Sequence, residues 1–239
     1  MSESLRIVHC SDIHLDNDAC APTTLSSNLV FKETLEVMGK CDPHLLLIAG
    51  DLFDSNRAHE NVVLRAMDAL ADLPFDVFII PGNHDCMQPN GVFQRHDFNA
   101  IENVVVLTNP DGEIVWARKH GVAIWGKGMV SHIPEYRPLG DWPPRPYGCD
   151  WYLGMGHGLF VGNEKDSERS SPITLKELEE CPFDYVALGH HHAAMEIVLN
   201  SKTAAFSGSP TDNVGKGPTF ALCNLVKGVT PVVDILTVE

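Results

Sequence analysis

The sequence has few basic residues, no long apolar run and no signal-peptide pattern. Lys and Arg total 17 against 32 Asp and Glu, and the formal net charge is -15. Such an acidic chain is not typical of proteins that hold nucleic acid on a basic surface. The longest apolar run, Leu45–Ala49, is far shorter than the roughly 20 residues of a membrane span. We therefore expect no membrane association and a cytoplasmic location.

The seven cysteines are widely spaced and form no C-x-x-C pair. This pattern excludes a zinc ribbon, a thioredoxin-type motif and the disulfide framework of a small secreted protein. Hydrophobic residues make up 44% of the chain and charged residues 21%, which is typical of a globular protein. Because the length suffices for one large core and is short for two, we expect residues 1–239 to form a single domain.

In the first half of the chain, short apolar runs alternate with amphipathic segments. The pattern predicts strands at 5–10, 44–49 and 76–80, and helices at 24–40 and 58–73. This strand–helix–strand–helix–strand order implies a parallel sheet with right-handed crossovers.

The second half has shorter predicted strands and a Pro-rich loop at 133–147. Thr174-x-x-Glu177 is a capping box that predicts a helix ending near residue 180. The predicted strands lie at 104–107, 113–118, 121–125, 151–156, 185–189, 194–199, 219–226 and 229–238, the last two forming a hairpin that turns at Lys227-Gly228. We therefore predict an α/β fold in which two mixed β-sheets pack as a sandwich flanked by helices.

Residues with metal-binding side chains directly follow the predicted strands, where open α/β sheets place their ligands. Five such blocks occur: Asp12-x-His14, Gly50-Asp51-x-x-Asp54, Gly82-Asn83-His84-Asp85, Gly156-His157 and Gly189-His190-x-His192. On an extended chain, residues two apart point to the same side. We therefore expect Asp12 to pair with His14, and His190 to pair with His192, with His191 turned away.

Each block taken alone also has an ordinary structural interpretation. Asp51 follows a buried strand and is costly to bury without a cation or several donors, but it equally suits a helix cap. The three-histidine run equally suits a solvated loop. Together, seven side chains form a mixed oxygen and nitrogen set, too large for one tetrahedral zinc and sufficient for two metals that share a carboxylate. These are Asp12, His14, Asp51, Asn83, His157, His190 and His192.

From Asp12 to His192, the order of these five blocks resembles the calcineurin-like metallophosphoesterase family. The resemblance implies that family's four-layer αββα sandwich and two divalent metal ions bridged by Asp51. One ion would be held by Asp12, His14, Asp51 and His192, and the other by Asp51, Asn83, His157 and His190.

The family's catalytic histidine corresponds to His84. Two divalent cations outweigh the carboxylates of Asp12 and Asp51, which makes the site locally positive and suited to a phosphate anion. The resemblance implies hydrolysis of phosphodiester bonds by a metal-bridging hydroxide, with His84 protonating the leaving oxygen or stabilising charge on the phosphoryl group. We expect Asp54 and Asp85 to orient the site, with a plain loop carboxylate as the alternative for each.

The identity of the metal follows from resemblance alone. The resemblance to the family favours Mn. Fe and Zn are alternatives, because a set of imidazoles and carboxylates suits all three metals.

Four stretches resemble the SbcD-type DNA-repair exonuclease branch: LRIVHCSDIHLD from Leu5, AGDLFDSNRA from Ala49, DYVALGHHH from Asp184 and FSGSP from Phe206. This resemblance implies a DNA exonuclease that works with an SMC-like ATPase partner. The scattered basic residues, and a chain that stops soon after the last hairpin, predict instead a stand-alone phosphoesterase of nuclease-like ancestry. The alternatives are a phosphomonoesterase, a small cyclic or nucleotide phosphodiesterase, and a metal-binding scaffold without catalysis.

The histidines outside the five blocks are predicted at the surface or core edge: His9, His44, His59, His96, His120 and His132. Ser207 and Ser209 are expected to shape a turn. Trp142 and Tyr147, in the Pro-rich loop, either line a substrate cleft or pack against the sheet.

Overall fold

The structure of the protein is a computed structural model that describes residues 3–15, 27–162 and 168–238. Its strands are β1 (Ser4–Cys10), β2 (Leu45–Ala49), β3 (Asp76–Ile80), β4 (Val104–Val106), β5 (Glu113–Ala117), β6 (Val122–Gly126), β7 (Trp151–His157), β8 (Leu159–Val161), β9 (Pro172–Thr174), β10 (Tyr185–Gly189), β11 (Met195–Leu199), β12 (Lys202–Phe206), β13 (Thr219–Val226) and β14 (Val232–Thr237). Its α-helices are α1 (Ser27–Gly39), α2 (Glu60–Ala71), α3 (Val92–Arg95) and α4 (Leu175–Glu180), with short 3-10 helices at Phe98–Ala100 and Arg118–His120. None of these helices has the length and apolar character needed to cross a bilayer.

Two six-stranded sheets form the centre of the molecule. The first has the strand order β14-β13-β1-β2-β3-β4, the second has the order β11-β12-β10-β7-β6-β5, and β8 pairs with β9 separately. Strands β1 to β4 run parallel, and β13 pairs antiparallel with both β1 and β14. In the second sheet β6, β7, β10 and β12 run parallel, with antiparallel β5 and β11 at the edges. Both sheets are therefore mixed, as the sequence predicts.

Strand side chains alternate between two apolar layers, because successive residues of a strand point to opposite faces. In β1, Ile7 belongs to the core between the sheets, together with Leu153 of β7. The next residue, Val8, belongs to the layer that the helices cover, together with Phe31 of α1 and Val63 of α2. Helices α1 and α2 thus pack on the outer face of the first sheet.

The outer face of the second sheet packs against α4. Leu178 of this helix lies in one apolar cluster with Trp125 of β6 and Phe206 of β12. The capping box predicted at the start of α4 is confirmed. The Thr174 hydroxyl accepts the Glu177 N–H at 3.2 Å, and Glu177 Oε2 accepts the Thr174 N–H at 2.7 Å. A helix therefore covers each outer face of the sandwich, which confirms the predicted fold class.

The structure differs from the sequence prediction mainly in the second half. Strand β12 is not predicted, because its sequence KTAAF contains two alanines, which are depleted in strands. Pairing with β10 on one side and β11 on the other outweighs this weak preference. The last strand begins at Val232 rather than at residue 229, and the second helix spans Glu60–Ala71 rather than 58–73. Residues 24–26 of the first predicted helix lie outside the described residues.

Candidate metal centre

The blocks that follow β1, β2 and β3 in the first sheet meet the blocks at the carboxyl ends of β7 and β10 in the second. Each block lies at the carboxyl end of its strand. Because these strands run parallel to their neighbours, the blocks of one sheet lie at a common edge. Backbone hydrogen bonds hold the first two blocks side by side. The Asp12 N–H donates to the Gly50 carbonyl at 3.0 Å, and the His14 N–H donates to the Asp51 carbonyl at 3.1 Å.

Four of the seven predicted ligands have a left-handed backbone: φ is 54° at Asp12, 51° at His14, 53° at Asp51 and 96° at His190. Residues other than glycine rarely adopt this conformation, and strained residues of this kind cluster at functional sites. The extended backbone expected at the first and last blocks is therefore wrong. Their side chains converge because the chain turns sharply. His191 is exposed and hydrogen-bonds to the Ala193 carbonyl at 2.7 Å, so it does turn away.

Asp12, His14 and His192 form a first cluster, in which one ligand atom of each residue lies within 4.8 Å of the others. His192 Nε2 is 3.3 Å from His14 Nε2 and 3.7 Å from Asp12 Oδ1. The Asp12 carboxylate also accepts the His190 backbone N–H at 3.0 Å. Two imidazole nitrogens and a buried carboxylate oxygen therefore point toward a common volume.

Asn83, His157 and His190 form a second cluster. Asn83 Oδ1 is 2.9 Å from His157 Nε2 and 2.9 Å from His190 Nδ1. The opposite nitrogen of His157, Nδ1, donates to the Ala49 carbonyl at 2.8 Å. In the neutral ring this bond leaves the lone pair on Nε2, which faces the cluster.

Asp51 lies between the two clusters. Its Oδ2 is 3.3 Å from His157 Nε2 and 3.9 Å from His14 Nε2, and its Oδ1 accepts the His84 backbone N–H at 2.8 Å. One carboxylate therefore approaches histidines of both clusters.

The electrostatics of this centre are dominated by two buried carboxylates. Burial alone raises the pKa of Asp51, but His157 and the His84 N–H outweigh burial and hold that pKa well below its usual range. Burial alone lowers the pKa of His157, but the Asp51 carboxylate outweighs it and raises that pKa to about 9. Across the described ranges, Asp12 and Asp51 form no ion pair with Lys or Arg. The centre therefore concentrates negative charge that a cation would neutralise.

Gly50 and Gly82 allow the side chains to approach so closely. A Cβ on Gly50 would lie 2.2 Å from His157 Nδ1, and a Cβ on Gly82 would lie 2.2 Å from Asp51 Oδ1. Gly50 also has a φ of 92°, which side chains disfavour. The close packing of the ligand side chains therefore leaves no room for a Cβ at either position.

His84 lies beside the first cluster, with 42% of its side chain exposed. Its ring centroid is 4.6 Å from that of His14, and its Nδ1 donates to the Asp54 carbonyl at 2.8 Å. The Asp54 carboxylate is 3.7 Å from the same nitrogen and 3.3 Å from His14 Nδ1. His84 also brings a nitrogen within 4.8 Å of ligand atoms of His14 and Asp51.

Asp85 is buried behind the centre and joins two of its loops. Its carboxylate accepts the Gly82 N–H at 2.7 Å and the Phe53 N–H at 3.1 Å. Burial and repulsion by Asp51 raise the pKa of Asp85 to about 7. The side chain thus contacts backbone groups of the loops that carry Asp51 and His84.

The comparison with known families decides the identity of this fold. A family model described as calcineurin-like phosphoesterase matches residues 5–194, which include all five blocks. The chain belongs to the calcineurin-like phosphoesterase family. It is accordingly a metal-dependent phosphoester hydrolase, from a family that uses two metal ions.

Solved structures share the architecture of this phosphoesterase at low sequence identity. A protein described as a novel archaeal phosphodiesterase is 13% identical, with a TM-score of 0.51 over 97% of this chain and 100% of that one. A purple acid phosphatase from yellow lupin (Lupinus luteus) seeds is 11% identical, with a TM-score of 0.57 over 100% of this chain and 52% of that one. A further crystal structure is 11% identical, with a TM-score of 0.63 over 99% of this chain and 100% of that one. These likenesses show the fold.

The donor atoms of the phosphoesterase fit two metal ions. Ligand atoms about 2.1 Å from a shared ion lie roughly 3.0–3.4 Å apart, and the separations given above within the two clusters range from 2.9 to 3.7 Å. Carboxylate oxygens, an amide oxygen and imidazole nitrogens form a set that suits Mn, Fe or Zn.

Asp212 supports the phosphoesterase centre and is not found by the sequence analysis. Its carboxylate is 2.9 Å from His192 Nδ1, so that Nε2 of this ring faces the first cluster. Ser209 donates to the Asp12 carbonyl at 2.7 Å and accepts the Asp212 N–H at 3.1 Å, which confirms that Ser209 shapes the loop. The available signal was the position of Asp212, two residues after the FSGSP stretch.

His132 lies closer to the centre than the sequence indicates. Its ring centroid is 4.9 Å from that of His190, and its Nδ1 is 2.9 Å from the Ser171 hydroxyl. Burial lowers the pKa of His132. No motif surrounds this residue in the sequence, so nothing local marks it.

The structure also places His9 and Trp142, for which the sequence analysis gives expectations. His9 is fully buried, so its expected place at the surface or core edge is wrong. Its strand lies between two others, and its ring hydrogen-bonds to the Tyr185 hydroxyl at 2.9 Å. Trp142 packs against the outer apolar cluster of the second sheet, as one of the two alternatives predicted.

Proposed function

We propose that this phosphoesterase hydrolyses phosphodiester bonds with two divalent metal ions held by the converging side chains. Asp12, His14, Asp51 and His192 would hold one ion, and Asp51, Asn83, His157 and His190 the other. The observation that carries this proposal is the position of the Asp51 carboxylate between histidines of both clusters. When bound, the ions supply Lewis-acid stabilisation of the phosphate and activation of water.

We assign the proton transfer to His84. Its Nδ1 donates to the Asp54 carbonyl, so the imidazolium form of the ring, with a proton on each nitrogen, would give the Nε2 proton to the leaving oxygen of the ester. The ring is part-exposed next to buried carboxylates, which suits a group that meets substrate at the edge of the centre. Asp54 orients this ring, and Asp85 holds the loop that carries it.

Charge supports a small substrate more strongly than a long duplex. Two divalent cations outweigh the carboxylates of Asp12 and Asp51, which favours a phosphate anion locally. The chain as a whole has a formal charge of -15, which opposes long-range attraction of a polyanion. We therefore propose a short phosphodiester or a DNA end as the substrate.

The finer parts of the proposal rest on the resemblance to SbcD-type nucleases and on the cysteine pattern. They are Mn as the native metal, DNA as the extended substrate, an SMC-like ATPase as partner, and a cytoplasmic location.

The first experiment compares hydrolysis of bis-p-nitrophenyl phosphate and p-nitrophenyl phosphate, with Mn added and with a chelated control. We expect metal-dependent turnover with a clear preference for the diester, and about two metal ions per chain by elemental analysis. An Asp51→Asn variant should lose metal and turnover. The matched Asp68→Asn variant removes an exposed carboxylate of α2 and should behave as wild type.

The alternatives predict different results. Preference for the monoester would identify a phosphomonoesterase and overturn the diester assignment. If the chain binds far fewer than two metal ions and hydrolyses neither substrate, it is a metal-binding scaffold without catalysis, and the catalytic proposal is overturned. If the diester is preferred, a 5′-labelled oligonucleotide, with and without an ends-blocked control, tests the DNA proposal.

A further inference from the structure

The segment 127–133, which follows β6, is anchored by backbone hydrogen bonds to three other loops. The Gly128 N–H donates to the Asn109 carbonyl at 3.0 Å. The Met129 carbonyl accepts the Met87 N–H at 2.7 Å, three residues beyond His84. The Ile133 carbonyl accepts the Ser171 N–H at 2.9 Å. Backbone contacts at three points therefore hold this segment in one position beside the centre.

His132 is the side chain that this segment brings to the metal-binding cluster. Three imidazoles follow one another: His157 is buried, His190 is 5.3 Å from it between ring centroids, and His132 is 4.9 Å from His190. His132 and His190 are both partly exposed, whereas His157 is buried. The row of rings therefore begins at a buried ligand and ends at two partly exposed histidines.

Ser171 fixes the orientation of the His132 ring. The Ser171 hydroxyl is 2.9 Å from His132 Nδ1, and Ser171 itself is fully buried with a φ of 48°. A buried hydroxyl in a strained backbone does not reorient freely. With Nδ1 used in this way, Nε2 lies on the opposite side of the ring.

Exposed apolar residues stand on both sides of His132 along the chain. Val130 is 40% exposed and Ile133 is 44% exposed, while Met129 next to them is fully buried. An anchored segment that exposes two branched apolar side chains around a histidine has the composition of a ligand-binding wall, which combines apolar surface with a few placed polar groups.

We infer that His132 is a substrate-binding residue, whose Nε2 donates a hydrogen bond to a non-bridging oxygen of the phosphodiester. Val130 and Ile133 contact the second organic group of the diester, which a monoester lacks. This inference rests on the proposed phosphodiesterase function and assigns to segment 127–133 the preference for diesters. His132 would face the substrate from the second sheet, and His84 would face it from the first.

The test compares His132→Ala with His120→Ala, a histidine that precedes β6 at the opposite end of the same strand. For His132→Ala we expect unchanged metal content and melting temperature, and a rise of about threefold to tenfold in KM for the diester, the size of one neutral hydrogen bond. Inhibition by inorganic phosphate should weaken by a similar factor. His132→Gln keeps an N–H donor and should recover part of the loss, and His120→Ala should match wild type.

Separate variants test the proposed contact of Val130 and Ile133 with the second organic group. Val130→Ser and Ile133→Ser should raise KM for bis-p-nitrophenyl phosphate by several-fold and leave KM for p-nitrophenyl phosphate unchanged. Equal changes for both substrates would overturn the assignment of these residues to the second ester group.

Other outcomes separate this inference from the proposed function. Unchanged KM and unchanged phosphate inhibition in His132→Ala would overturn the inference while the function stands. Loss of bound metal in that variant would make His132 a metal ligand and also overturn it. If wild type hydrolyses neither ester, the proposed function fails, and calorimetric binding of phosphate to the Mn-loaded wild type and His132→Ala decides whether His132 meets the anion.

Discussion

Asp12, His14 and Asp51 hold left-handed backbone conformations that are unfavourable for residues with a Cβ. Such conformations cost about 1–3 kcal/mol each and persist only where the surroundings impose them. Here the imposing contacts are between loops, because the Ile13 and His14 N–H groups both donate to the Asp51 carbonyl. The strain lies where the proposed ligands converge, so the backbone is shaped by the centre rather than by strand geometry.

Replacing His84 should separate metal binding from catalysis. Because its ring is oriented by Asp54 but is proposed not to hold metal, His84→Ala should keep the wild-type metal content. Its kcat for the diester should fall by roughly 10²–10⁴-fold, the usual contribution of general acid catalysis. Elemental analysis and steady-state kinetics measure the two quantities. Equal activity would remove His84 from the reaction, and loss of metal would make it a ligand.

Among the secondary-structure elements, the sheets position the loops that follow parallel strands, and helix caps and ion pairs position other loops. Glu177 in the first turn of α4 makes a contact of each kind: it completes the capping box, and it forms an ion pair with Arg137 of the Pro-rich loop at 3.0 Å. Helix α4 follows directly on β9, whose neighbour Ser171 contacts His132. A short helix therefore supports the loop that carries His132.

Loss of the helix cap of α4 should lower the free energy of unfolding. Thr174→Ala removes the hydroxyl that accepts the Glu177 N–H and should lower the free energy of unfolding by about 1 kcal/mol. Thr174→Ser keeps the hydroxyl and should lose less. Urea unfolding measures both variants, and equal losses would show that the methyl group, not the cap, accounts for the effect.

At the scale of the whole molecule, the two sheets bury polar groups as well as apolar ones. His9 of β1 and Tyr185 of β10 join the two sheets through a buried hydrogen bond. Burial lowers the pKa of His9 to about 3 from an ordinary value of 6.5. The folded chain therefore keeps this ring neutral under conditions in which the unfolded chain protonates it. That residues 1–239 form a single domain stays a prediction.

This buried histidine should make the fold sensitive to acid. Above pH 6.5 neither state protonates His9, so its contribution to stability is complete. Between pH 6.5 and about 3 only the unfolded chain takes the proton, so stability falls by about 1.4 kcal/mol for each pH unit. His9→Gln cannot titrate, so from pH 7 to pH 5 it should lose about 2 kcal/mol less than wild type. Urea unfolding at both pH values measures the difference, and parallel losses would contradict the assignment.

Local sequence is enough to show which side chains reach the edge of the sheets, because each block directly follows an apolar run and parallel strands end at a common edge. The order of the five short blocks is also enough to indicate the family. How the two sheets meet is visible only in the folded chain, which places His157 against Asn83, 74 residues away, and His192 against His14, 178 residues away. The folded chain alone brings in Asp212, Ser171 and His132, because those contacts arise from the packing of separate loops. Local patterns encode periodicity and turns, whereas contacts between distant loops depend on the register of whole sheets.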